Sequence, residues 1–142
     1  MRKQLFIRSL QIKLLMIAFT IPYFTNSQNA TDTNAKKPLN IGFVLYTKGN
    51  TPGTLFARWN YANKSSGPGL ATGGPHTDGY AGNYHVRYFY ESGKFSDEYD
   101  LVIEKAGDFY DVSWIINEKV AAKGVGMEVS DGLAVGWRRV TD

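Results

Sequence analysis

The sequence predicts an all-β domain, a small antiparallel up-and-down β-barrel, and three observations carry that expectation. From residue 39 onward apolar and polar residues alternate with a period of two, which sorts a strand's side chains onto two faces of a sheet. The links between the later alternating runs are short and rich in turn-forming residues. Of the 20 aromatic side chains, 16 fall after residue 30, and aromatics favour pleated, half-buried surfaces.

The elements follow in order. Residues 40–46 are mostly apolar and read as the first strand. In 54–61, Leu55, Ala57, Trp59 and Tyr61 alternate with Phe56, Arg58 and Asn60. In 80–90, Tyr84, Val86 and Tyr88 share a face against Asn83, His85 and Arg87. Residues 98–104 set Tyr99, Leu101 and Ile103 against Asp100 and Glu104. Residues 109–116 set Tyr110, Val112 and Trp114 against Asp111 and Ser113. In 120–129 the apolar face is assigned to Val125, Met127 and Val129, opposite Gly124, Gly126 and Glu128. In 132–140 it is assigned to Leu133, Val135 and Trp137. Ser92-Gly93, Ala106-Gly107, Asn117-Glu118 and Asp131-Gly132 read as the turns between them. About seven strands with one apolar face each must curl into a barrel or fold into a β-sandwich to bury that face. Hairpin links favour the barrel, and the sandwich is the alternative.

Residues 1–30 stand outside this pattern. Arg2, Lys3, Arg8 and Lys13 precede the apolar run 14–24, and small polar residues follow it. These are the three parts of a secretory signal peptide, with cleavage expected after Ser27 or Ala30. The apolar run is about half of the ~20 residues a spanning helix needs, so no stable membrane anchor is expected after cleavage. Residues 31–38 read as a flexible spacer, and 39–142 as a single barrel domain. Four of the 16 lysines and arginines lie in the leader and none of the 13 carboxylates do, so the remainder carries a net charge of −1. That balance argues against a nucleic-acid partner. There is no cysteine, which excludes a thiol nucleophile and any cysteine-based zinc site. The expected location is secreted or periplasmic.

Sites of chemistry are sparse. The stretch 62–79, rich in glycine, serine and proline, reads as one long loop and a candidate binding or interaction segment. His76 lies in that loop, and His85 on a strand face shared with Asn83 and Arg87. Neither has a partner histidine at metal spacing, and no metal or cofactor is expected. Asp97, Glu98, Asp100 and Glu104 form an acidic run that reads as a solvated face beside Lys94 and Lys105. The strongest pointer is aromatic. Trp59, Tyr84, Tyr88, Trp114 and Trp137 fall on the apolar faces of their strands and would line the lumen, as a ligand site if it is hollow and as filler if it is not. Tyrosine and tryptophan carry polar tips that need partners when buried, which makes them costly filler.

The end of the chain carries a resemblance. Gly124-Val-Gly-Met-Glu128 and Gly132-Leu-Ala-Val-Gly-Trp-Arg138, preceded by Glu104-Lys-Ala-Gly-Asp108 and 110–114, resemble the closing strands of calycin-type barrels, the group that includes lipocalins and avidins. The resemblance covers residues 80–138 and implies an antiparallel barrel with a ligand mouth at one end. Trp59 has Ala57 two residues before it where lipocalins carry Gly-x-Trp, and Val135-Gly-Trp-Arg-Arg-Val-Thr141 only echoes the avidin terminal motif, so no biotin site is carried over. The expectation is an exported, non-enzymatic binding module for a small apolar or amphipathic ligand. The alternatives are a protein-interaction or inhibitor domain acting through 62–79, and a barrel cyclase or isomerase. That last reading needs His85, Glu98 or Asp111 inside the lumen, where the alternation does not put them.

Overall fold

A computed structural model describes residues 39–140; the expected leader (1–30) and spacer (31–38) lie outside the described residues. Eight strands run up and down and close on themselves: β1 (Gly42–Lys48), β2 (Leu55–Tyr61), β3 (Ser65–Thr72), β4 (Gly82–Phe89), β5 (Phe95–Ala106), β6 (Phe109–Ile116), β7 (Lys119–Val129) and β8 (Gly132–Arg139). Each pairs antiparallel with its neighbour in the chain, and β8 pairs with β1 to seal the barrel. Closure leaves no sheet edge among these strands. The barrel, rather than the sandwich, is the architecture.

The interior is filled along most of its length. Val44, Tyr46, Leu55, Val86, Leu101, Val112, Leu133 and Val135 point inward and are almost fully buried. Each large side chain so removed from water contributes about 1.5–3 kcal/mol. The outer wall of β4 and β5 carries His85, Arg87, Glu98 and Asp100, joined by exposed ion pairs at 3.4–3.6 Å. Such pairs stabilise little.

Three expectations need correction. The stretch 62–79 is not one loop, because β3 lies within it, and only 62–64 and 73–81 connect strands. Within β3 the small inward residues Gly67 and Gly69 leave room for their neighbours. A Cβ on Gly69 would sit 2.6 Å from the Tyr88 ring. Pro68 lies just beyond the β3–β4 ladder, which begins at Gly69↔Tyr88, so its missing N–H falls where pairing has already frayed.

The second correction concerns β7, whose phase is opposite to the expected one. Val125, Met127 and Val129 face outward, while Ala122, Gly124 and Gly126 face the lumen. Val135 of β8 explains this. Its methyl groups would lie 2.8 Å from a Cβ on Gly124 and 2.9 Å from one on Gly126, so the core volume beside β7 is already taken. The ladder also slips between Trp114 and Ile115, which leaves Ala121 as the extra residue of a bulge. As a result Val125 and Met127 join Phe43 and Leu45 across Gly136 and Ala134 in an apolar strip on the outer wall. The third correction is one residue in two of the turns, which fall at Gly107-Asp108 and Ser130-Asp131. The Asn117-Glu118 turn is in place, with φ of 50° and 63°, the pair of positive values that a two-residue hairpin turn requires.

The two ends of the barrel differ. At the end where β1 finishes, the loop 73–81 folds over the opening. Lys48 Nζ donates to the carbonyls of Thr77 and Gly79 and lies 4.7 Å from the centre of the Tyr80 ring. Gly74 N–H donates to Gly53 O at 3.0 Å, and the Gly74 backbone lies hard against the Tyr84 ring. Tyr80 and Ala81 pack on the core beneath. Among the described residues, the opposite end, where β1 begins, carries the chain ends 39–41 and Val140 and the short turns 62–64, 90–94 and 117–118.

An aromatic cup at the open end

Alternation along the strands brings one set of side chains to the open end. On β2 the inward positions reach Trp59 and Tyr61, on β4 Tyr88, on β6 Trp114, and on β8 Trp137. They surround a cavity of about 80 Å³ that opens to solvent at this end, with Val44, Tyr88, Trp114 and Ala122 as its buried floor. The enclosed part is about half of a ~150 Å³ apolar cavity able to take a benzene. That volume has room for a group smaller than benzene.

The floor is held by a buried polar chain. The Trp114 indole N–H donates to the Tyr88 hydroxyl at 2.8 Å, and the Tyr88 and Tyr46 hydroxyls share a hydrogen bond at 2.5 Å. Burial pushes both phenols well above their ordinary range, so each stays neutral beneath the cavity. No described buried side-chain polar atom lacks a partner. The Trp59 indole N–H reaches both Pro68 O and Phe89 O at 3.1 Å, stitching β3 to β4 where their ladder has opened.

The far wall depends on a glycine. Gly42 pairs with Tyr61 on one side and Trp137 on the other, and a Cβ there would collide with the Trp137 ring. Over that gap the Tyr61 and Trp137 rings stack at 5.4 Å and 19°. The remaining ring pairs of the cup are steeply tilted: Trp114–Trp137 by 50°, Trp59–Tyr88 by 65°, Trp59–Tyr90 by 58° and Tyr88–Tyr99 by 60°, each about 6 Å apart.

Charge enters at the rim. Asp97 of β5 and Arg139 of β8 both line the cavity, and among the described residues neither is in a salt bridge. The Asp97 carboxylate accepts a hydrogen bond from Ser96 Oγ at 2.8 Å. The Arg139 guanidinium lies 5.4 Å from the centre of the Tyr61 ring. Asn40 clamps the Arg139 backbone, accepting from its N–H at 3.0 Å and donating to its carbonyl at 2.9 Å, which fixes the end of β8 at the mouth. Tyr99 lies within reach of both charges. Burial raises its phenol, Asp97 raises it further, and Arg139 opposes them.

Of the five aromatic residues singled out from the sequence, Trp59, Tyr88, Trp114 and Trp137 meet in this cup. Tyr84 does not; it lies at the closed end, its hydroxyl donating to Tyr80 O at 3.0 Å. His85, Glu98 and Asp111 face outward, away from the lumen. Sequence reasoning missed Tyr46, Asp97 and Arg139. The signal for the last two was the same period of two: Asp97 stands two before Tyr99, and Arg139 two after Trp137. The chain matches no protein-family model, no curated protein and no solved structure.

Proposed function

We propose that this protein is an exported, non-enzymatic binding module of calycin-like type that takes one small amphipathic molecule in the cup at the open end of its barrel. The observation that carries this reading is the contrast between the two ends. One is capped by the 73–81 loop and packed with side chains, while the other keeps a cavity of about 80 Å³ walled by Trp59, Trp114 and Trp137. A rigid apolar floor below a polar, charged rim suits a ligand with an apolar end buried and a polar end at the surface. The basic, apolar and small-residue segments of 1–30 support export to a secreted or periplasmic location.

All three tryptophans of the chain line the cup, so intrinsic fluorescence reports on it without a label. Titration with a panel of short amphiphiles should give a saturable change in emission that Trp137→Leu weakens by about tenfold or more. Emission unchanged across the panel, in a protein shown to be folded by circular dichroism, would remove the reading. Mass spectrometry of the exported form tests the leader, with a mature N-terminus expected after Ser27 or Ala30.

A further inference from the structure

The cup has a more specific chemistry than an apolar pocket. Three indoles and four phenol rings line it, far more π surface than an aliphatic ligand needs. Most of these rings are not parallel. Tilts of 50–65° between neighbours build the walls of a box, where a flat ring would need a slot between parallel faces. A box of about 80 Å³ suits a compact, roughly spherical head of about three methyl-sized groups, each close to a water in bulk. Aromatic walls of this kind attract a cation through the negative faces of the rings, and an alkylated ammonium is the cation least costly to strip of water. Asp97 at the rim adds a carboxylate that has no salt-bridge partner among the described residues. Arg139, whose backbone Asn40 fixes at the mouth and whose guanidinium lies over the Tyr61 ring, places a positive charge at the rim, where an anion attached to that head would emerge.

We infer that the cup is a cage for an alkylated ammonium group, and that its ligand is a small zwitterion whose anion, a carboxylate or phosphate a few bonds away, meets Arg139 while the ammonium faces the rings and Asp97. This rests on the reading of the cup as a ligand site and narrows it to one chemical class. A free metabolite and a lipid headgroup share this chemistry, and the test separates them.

The experiment titrates the folded protein with phosphocholine, glycine betaine, choline and 3,3-dimethylbutan-1-ol, the neutral carbon counterpart of choline, following tryptophan emission and heat of binding. Choline should bind about tenfold more tightly than its neutral counterpart, and phosphocholine or betaine more tightly than choline. Asp97→Asn should weaken every ammonium ligand and leave the neutral alcohol unchanged. Arg139→Gln should abolish the advantage of the zwitterions over choline and leave choline itself no weaker. Binding to phosphatidylcholine vesicles without binding to free phosphocholine assigns the lipid source, and the reverse assigns the soluble one; either supports the class. Neutral alcohol binding as well as choline overturns this inference and leaves the amphipathic cup standing. If no probe binds, including the uncharged amphiphiles, both readings fall together.

Discussion

Tyr88 is the residue on which the cup floor turns. Its hydroxyl accepts from Trp114 and is hydrogen-bonded to the Tyr46 hydroxyl, so one oxygen satisfies two other buried groups. Tyr88→Phe leaves an indole N–H and a phenol without partners in the dry interior, and should cost about 2–4 kcal/mol in urea unfolding. Tyr46→Phe removes only one end of the chain and should cost about half as much, because Trp114 keeps its acceptor. The same burial sets a pH limit. Tyr46 and Tyr88 are pushed well above the ordinary phenol value of 10, and Tyr110 is pushed up to about 12, chiefly by its hydrogen bond to the Glu128 carboxylate and then by burial. Each raised phenol stabilises the fold fully below its unfolded value, and that contribution is lost as pH rises toward the folded one. Stability should therefore be insensitive to these groups up to about pH 10 and fall above it, by about 1.4 kcal/mol per pH unit for each fully buried phenol. Urea titrations at stepped pH check this, and the double variant Tyr46→Phe/Tyr88→Phe should flatten the fall.

At the scale of the element, β7 shows how a strand's neighbours decide its phase. Taken alone, Val125, Met127 and Val129 are the better candidates for the core, since burying each would bring more apolar area out of water than a glycine can. The neighbouring β8 reverses the choice, because Val135 and Leu133 already occupy the space over Gly124 and Gly126. Gly126→Leu should therefore overpack the barrel and cost about 1–3 kcal/mol. Val125→Ser, on the outer wall, should stay within about 0.5 kcal/mol. Thermal unfolding of the two variants distinguishes the phases, since the phase expected from the sequence demands the opposite ranking. The strand β3 repeats the lesson: its inward residues include Gly69, where a Cβ would meet the Tyr88 ring, and Gly67, where one would meet the Phe89 backbone. Nothing in an eight-residue window rich in glycine announces that.

For the whole molecule, the decisive asymmetry is between a tethered end and an open one. Lys48 ties the 73–81 loop down through two carbonyls and the Tyr80 ring. Lys48→Met should loosen that loop, so amide exchange in 73–81 should speed up by about tenfold or more while the emission of the three tryptophans, at the other end, stays as it was. Faster exchange together with a shifted emission would mean that the two ends are coupled through the core. The Asn40 clamp plays the matching role at the mouth, joining residues 99 apart in the chain to fix where Arg139 stands.

By itself the sequence determined the class of the fold, the antiparallel order of the strands and four of the cup's aromatic residues, because a period of two and short turns are local properties that need no partner to be seen. Only the tertiary structure decided that there are eight strands, that β7 turns its valines outward, that Tyr84 belongs to the closed end, and that Asp97 and Arg139 face one another's side of the same mouth. Those outcomes depend on which volume is already occupied across the barrel. The occupant is a side chain distant in sequence, such as Val135 over Gly126 or Tyr88 over Gly69, and no local pattern contains it.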